Sequence, residues 1–115
     1  MKITFPTNGS DLNAEMFFHF GRCDNYLIYD TDTKNFNVIK NTSEHMGGSG
    51  LPPEIIQKAG TDVMIVSDLG QRALQLFSEF GIEVYCKAEG KIKNVLKDFN
   101  EGKLTKANPD IICQH

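Results

Sequence analysis

Within "DVMIVSD", Asp62 to Asp68, four apolar residues from Val63 to Val66 run without a polar interruption. A strand with one face in water alternates apolar and polar side chains. An unbroken run of this length belongs instead to a strand covered on both faces. The next segments of the chain supply the cover. "GQRALQLFSEFG" places Ala73, Leu74, Phe77 and Phe80 at helical spacing and stops at Gly81, so an amphipathic helix succeeds the strand. "IEVYCKA" reads as a further strand. "KIKNVLKDFNEG" reads as a further helix with Ile92, Val95, Leu96 and Phe99 on one face. Ahead of the run, "LPPEIIQKAG" reads as a helix with Pro52 or Pro53 in its first turn and Gly60 near its stop. Such alternation demands right-handed crossovers and a mainly parallel sheet.

The N-terminal third is different. "KITFP" is a short β-type run, and "TNGSDLNAEM" after it is polar and rich in turn formers. "NYLIYDTD" and "NFNVIKN" are two strands separated by Asp32 to Lys34, which reads as a hairpin turn. The order is therefore β-β-β-α-β-α-β-α. It predicts an α/β fold with a mixed sheet of about five strands and helices on both faces. The tail "KLTKANPDIICQH" shows no clear period. A chain of 115 residues, 40% of them hydrophobic, is long enough to bury a core as one domain spanning 1–115.

Several function classes drop out early. A formal charge of -3 gives no general basic footprint for nucleic acid. The start "MKITFPTNGS" is too polar for a secretory signal, and no apolar run approaches the roughly 20 residues of a membrane span. The expectation is a cytoplasmic protein with no membrane partner. Its three cysteines, Cys23, Cys86 and Cys113, form no CxxC pair. Reduced thiols are therefore expected rather than a zinc knuckle or a disulfide framework.

In open α/β sheets, ligands sit beyond the carboxyl ends of the strands. Three loops qualify: the segment into "HFGR", the loop "EHMGGSG", and "SDLGQR" after the apolar strand. His19 and His45 are reachable imidazoles of the kind that bind iron, copper or zinc. Cys23 offers a thiolate donor for an iron–sulfur cluster, with Arg22 beside it to lower its pKa; the alternative is a small buried hydrophobe. Gly21 permits a positive φ or a close backbone approach. Arg22 and Arg72 are cations able to face an anion, although a structural salt bridge would use Arg22 equally well. Gly47, Gly48 and Gly70 lie in turns leading into helix starts, where N–H groups suit an anion. Asp68 is expected to cap the second of those helices. Cys86 reads as core, and Cys113 with His115 as a frayed end. Met16, Phe17, Phe18 and Phe20 read as packing that can also wall a site.

Taken together, "HFGR" at His19–Arg22, "VMIVSDLGQRALQLFSEFGIEVY" at Val63–Tyr85 and "EGKIKNVLKDFNEGKLT" resemble, in order, the motifs of the dinitrogenase iron–molybdenum cofactor biosynthesis family. The resemblance implies a ribonuclease-H-like fold. It also implies a non-catalytic protein that binds an iron–sulfur or molybdenum-containing cluster, with a molybdenum–copper sulfide cluster among the options. Such a carrier would hold its cluster transiently between donor and acceptor proteins, as a monomer or weak dimer. Where members often carry several histidines before the first helix, this loop, "SEHMGGSGLPPE", has His45 alone. A metal-free adaptor or small-anion binding module remains the alternative. A nuclease, which the implied fold suggests, would need acidic residues for two cations, and "KITFP" has none. A hydrolase using Cys23 with His19 or His45 lacks any recognised nucleophile motif.

Overall fold

The computed structural model describes residues 1–43 and 51–107. The chain runs β1 (Lys2–Thr7), β2 (Asn25–Asp30), β3 (Phe36–Lys40), α1 (Pro52–Lys58), β4 (Val63–Ile65), α2 (Gln71–Glu79), β5 (Glu83–Cys86), α3 (Ile92–Asn100) and β6 (Thr105–Ala107). The strands form one mixed sheet in the order β3-β2-β1-β4-β5-β6. β1, β4 and β5 are parallel neighbours, while β2 and β6 run against the strands they pair with. The sheet thus has six strands rather than the five expected. The extra one comes from the tail, where Ala107, Lys106 and Thr105 pair with Val84, Tyr85 and Cys86. A three-residue edge strand in "LTKA" has too few positions to show a period of two.

The apolar run is buried on both sides, as its continuity demands. Val63 and Ile65 join Ile3, Phe5, Leu27, Ile92, Val95 and Leu96 beneath α3. Met64 and Val66 point the other way, among Tyr26, Ile56, Leu74, Phe77 and Val84 beneath α1 and α2. One residue of register decides the face, because strand side chains alternate. The regular strand is shorter than the run: β4 ends at Ile65, and Val66 and Ser67 continue on backbone bonds to Tyr85, Ala88 and Lys87.

The β2–β3 turn falls where expected. Asp30 accepts the Asp32 N–H on its side chain, and Lys34 takes a φ of 62° to close the turn. Helix α2 ends on Phe80, and Gly81, at φ 74°, lets Ile82 N–H return to the Phe77 carbonyl. One helix start corrects the sequence reading. The residue capping α2 is Gly70, not Asp68, and no side chain caps that end.

Candidate functional site

Because β1, β4 and β5 are parallel, the loops that leave their carboxyl ends emerge along one edge of the sheet. The long loop after β1 is clamped there. Phe17 N–H bonds back to the Pro6 carbonyl (2.9 Å), and Met16 N–H reaches the Gly90 carbonyl (2.8 Å). Ile92 and Lys93, at the start of α3, donate to the carbonyls of Ala14 and Leu12 (both 2.9 Å). His19 then forms an isolated parallel bridge with Asp68. The "HFGR" turn and the "SDLGQR" turn, 49 positions apart by residue number (68 − 19), are therefore adjacent.

The turn itself is built on Gly21, which is buried and has a φ of 90°. Arg22 N–H closes it onto the His19 carbonyl (3.1 Å). Its second support is Asn41, just past β3. The Asn41 side chain is nearly fully buried, and its Nδ2 donates to the carbonyls of Gly21 (2.8 Å) and Cys23 (2.9 Å). Asn41 was not visible as a site residue in the sequence, where it reads as the last residue of the strand "NFNVIKN".

Beside this turn lies a cleft of about 170 Å³. Gly21, Gly70 and Arg72 line it, with Phe20, Leu51, Pro52, Ala73 and Leu76 as apolar wall. Three of the residues singled out in the sequence thus meet in one place. Gly70 leaves open space where a side chain would start. Arg72 sits in the first turn of α2, a position where the helix dipole disfavours a cation, and that turn contains no acidic residue. An anion in the cleft would relieve both. Arg22 is exposed on the same turn, and neither arginine makes an ion pair within 4 Å to a described residue.

His19 is exposed, with its ring edge-on to Phe18 (5.0 Å between centroids) and Phe17 (6.4 Å). Cys23 is placed differently. It has no exposed surface and packs in the α1/α2 core with Tyr26. Burial pushes its thiol pKa up, more than nearby hydrogen-bond donors can lower it. The thiolate that metal ligation requires is disfavoured there. Tyr26, also fully buried, is pushed up in the same way, first by burial and then by Cys23. Its hydroxyl finds no partner at hydrogen-bonding geometry among the described residues. Cys86 is core, as expected. His45, Gly47 and Gly48, and likewise Cys113 and His115, lie outside the described residues. Among the described residues, no three His, Cys, Asp or Glu side chains converge as a metal-ion site.

The cleft itself offers one arginine, a glycine-lined opening and an apolar wall, and His19 and Arg22 are exposed on the adjoining turn without lining it. That donor set fits a bulky anion better than a bare cation. Comparison with known proteins agrees with the fold. The chain is 34% identical over 111 residues to an uncharacterised protein of Methanocaldococcus jannaschii, covering 92% of this chain and 91% of that one. Its fold matches the apo orange protein of Desulfovibrio gigas with a TM-score of 0.84 at 22% identity, over 92% of both chains. It also matches a Thermotoga protein described as a "putative NifB protein" of the DUF35 family, with a TM-score of 0.74 at 26% identity over 91% of both. The model of the family described as dinitrogenase iron-molybdenum cofactor matches residues 1–102. The ordered motifs, the fold and that match over most of the length lead to one conclusion: the chain belongs to the dinitrogenase iron-molybdenum cofactor family.

Proposed function

We propose that this protein binds and carries an iron–sulfur or molybdenum-containing cluster, or its precursor, and performs no bond chemistry of its own. The observation that carries the reading is the meeting of the His19 turn with the Gly70–Arg72 turn around one cleft. Family membership supports the cargo class. The ribonuclease-H-like label belongs to this reading too. It rests on the central order β3-β2-β1-β4-β5, in which β2 alone is antiparallel.

In this reading His19 is a direct ligand, and His45 is the second ligand expected from the sequence. Arg22 and Arg72 donate to sulfide or thiolate charge at the cluster surface. Phe20, Leu51 and Pro52 keep that side dry, which strengthens each charge-assisted contact. Cys23 contributes by packing under the turn. Few protein ligands suit a carrier, because cargo held by many strong bonds is released slowly. The partners are then a cluster donor and a cluster acceptor.

The test is anaerobic purification without a histidine tag, then metal analysis and absorption spectra before and after addition of iron with sulfide, or of tetrathiomolybdate. Stoichiometric metal with charge-transfer bands that weaken in His19→Ala and His45→Ala, but persist in Cys86→Ala, is the expected result. A colourless, metal-free protein under both conditions would replace this reading with the adaptor or small-anion module.

A further inference from the structure

Among the described residues, two besides glycine hold a left-handed backbone: Lys34 at φ 62° and Lys87 at φ 63°. Lys34 closes a hairpin, where such a conformation belongs. Lys87 follows the parallel strand β5, where no hairpin is made, and an L-residue with a long side chain resists it. The surrounding chain imposes it. Lys87 N–H bonds to the Ser67 carbonyl (3.1 Å) and Ala88 N–H to the Val66 carbonyl (3.2 Å). Ser67 Oγ, itself buried, donates to the Ala88 carbonyl.

This geometry puts Lys87 on the wall of a depression of about 230 Å³, with Phe18, Ser67, Ala88 and Glu89. Phe18 and Ser67 immediately precede the bridged pair His19 and Asp68. Gly21 and Gly70, which line the Arg72 cleft, follow that pair. The two openings therefore flank the same bridge. Lys87 makes no ion pair within 4 Å to a described residue, the Glu89 carboxylate on the same wall included.

Resting on the carrier reading, we propose that Lys87 is a further binding residue, a cationic contact reaching a multiply charged metal–sulfide anion from the side of the His19 turn opposite Arg72. The cargo would then span the bridge rather than fill one cleft. Its chemical class is a thiometallate-type anion broad enough to meet Arg72 and Lys87 together.

The test titrates tetrathiomolybdate into the wild type, Lys87→Gly, Lys87→Asn, Lys87→Arg and His19→Ala, with a thermal midpoint for each. Glycine relieves the left-handed strain, so Lys87→Gly is expected to melt no lower than the wild type. It should nevertheless bind about five- to tenfold more weakly, as loss of one charge-assisted contact implies, while Lys87→Arg stays near wild type. Lys87→Asn, which tolerates the same backbone, should weaken binding equally and guards against a folding artefact. Binding within twofold of wild type in both Lys87→Gly and Lys87→Asn, with His19→Ala weakened, overturns the role of Lys87 and leaves the carrier reading standing. Weakening in the Lys87 variants with His19→Ala unchanged supports Lys87 and removes His19 as a ligand. A wild type that binds no tetrathiomolybdate overturns both.

Discussion

A buried thiol beside a buried phenol gives folding two acids to hold in their neutral forms. The unfolded chain releases the Cys23 proton near its ordinary value of 9.0 and the Tyr26 proton near 10.0, whereas the folded chain retains both. Above pH 9 the native state therefore binds more protons than the unfolded one, and stability must fall as pH rises. Each group contributes a slope of up to about 1.4 kcal/mol per pH unit beyond its unfolded value. Denaturant midpoints measured from pH 8 to 10.5 should show this decline, and Tyr26→Phe should flatten its upper part. An unchanged profile in that variant would contradict burial as the cause. The same substitution removes a hydroxyl with no hydrogen-bond partner among the described residues, so at pH 7 it is expected to be neutral or to stabilise by up to about 1 kcal/mol. The sequence left Cys23 open between a cluster ligand and a small buried hydrophobe, and the structure shows the second. Cys23 lies four positions after His19 and beside Arg22, which suggested a shared site. Spacing does not reveal burial: past the left-handed Gly21, Cys23 turns into the core while Arg22 stays outside. His19, Gly21, Gly70 and Arg72, by contrast, stood out in the sequence as a histidine, a cation and glycines between predicted elements, and the structure brings Gly21, Gly70 and Arg72 to one cleft.

The elements show the same division between local and distant causes. The run Val63–Val66, the periodic faces of α2 and α3, and the turn at Asp32–Lys34 are local signals, and each produced the element expected. β6 was missed because it exists only through pairing with β5, a contact that three exposed or small residues cannot announce. The bare start of α2 has the opposite lesson. Asp68 is a good capping residue two positions too early, since the His19 bridge holds it in extended backbone and Gly70 becomes the last residue before the helix. Gly70 adopts a φ of -73°, open to any residue, and a side chain there meets nothing within 4 Å. Gly70→Ser should thus keep or raise stability by a few tenths of a kcal/mol through capping. It should also weaken cargo binding by filling the cleft mouth. A thermal midpoint and a titration on the same sample separate the two effects, and undiminished binding would show that the cleft mouth is not used. At the other support, Asn41→Ala strips two bonds from the His19 turn and leaves buried carbonyls unpaired. A cost of about 2–3 kcal/mol is expected, with faster amide exchange confined to residues 19–23. Uniform acceleration across the sheet would instead mean that Asn41 supports the whole fold.

On the scale of the molecule, the site is where the two cores come closest to being tied together from outside. The loop after β1 packs Met16 against the α3 side of the sheet and Phe17 and Phe20 against the α1/α2 side. The turn after β4 opens α2, and the turn after β5 opens α3. These loops hold one another through a few backbone bonds and one bridge, and they meet the margins of the two cores through Leu69, Phe17 and Phe20 on one side and Met16 and Ala88 on the other, so they open more readily than the strands beneath them. A cargo that contacts the His19 turn and Arg72 adds a cross-brace that the chain lacks. Mass action then sets the size of the effect: at a ligand concentration one hundred times Kd, the native state gains about 2.7 kcal/mol. For a domain of this length that corresponds to a rise of roughly 10 °C in thermal midpoint. Saturating tetrathiomolybdate should produce that rise in the wild type and a smaller one in His19→Ala. Amide exchange should slow first in residues 16–23 and 67–72, with the β2–β3 turn at the opposite edge unaffected. A midpoint that rises while those two loops exchange at their free rates would place the anion elsewhere on the surface. A midpoint that does not move at saturation would mean that the anion does not prefer the folded chain at all.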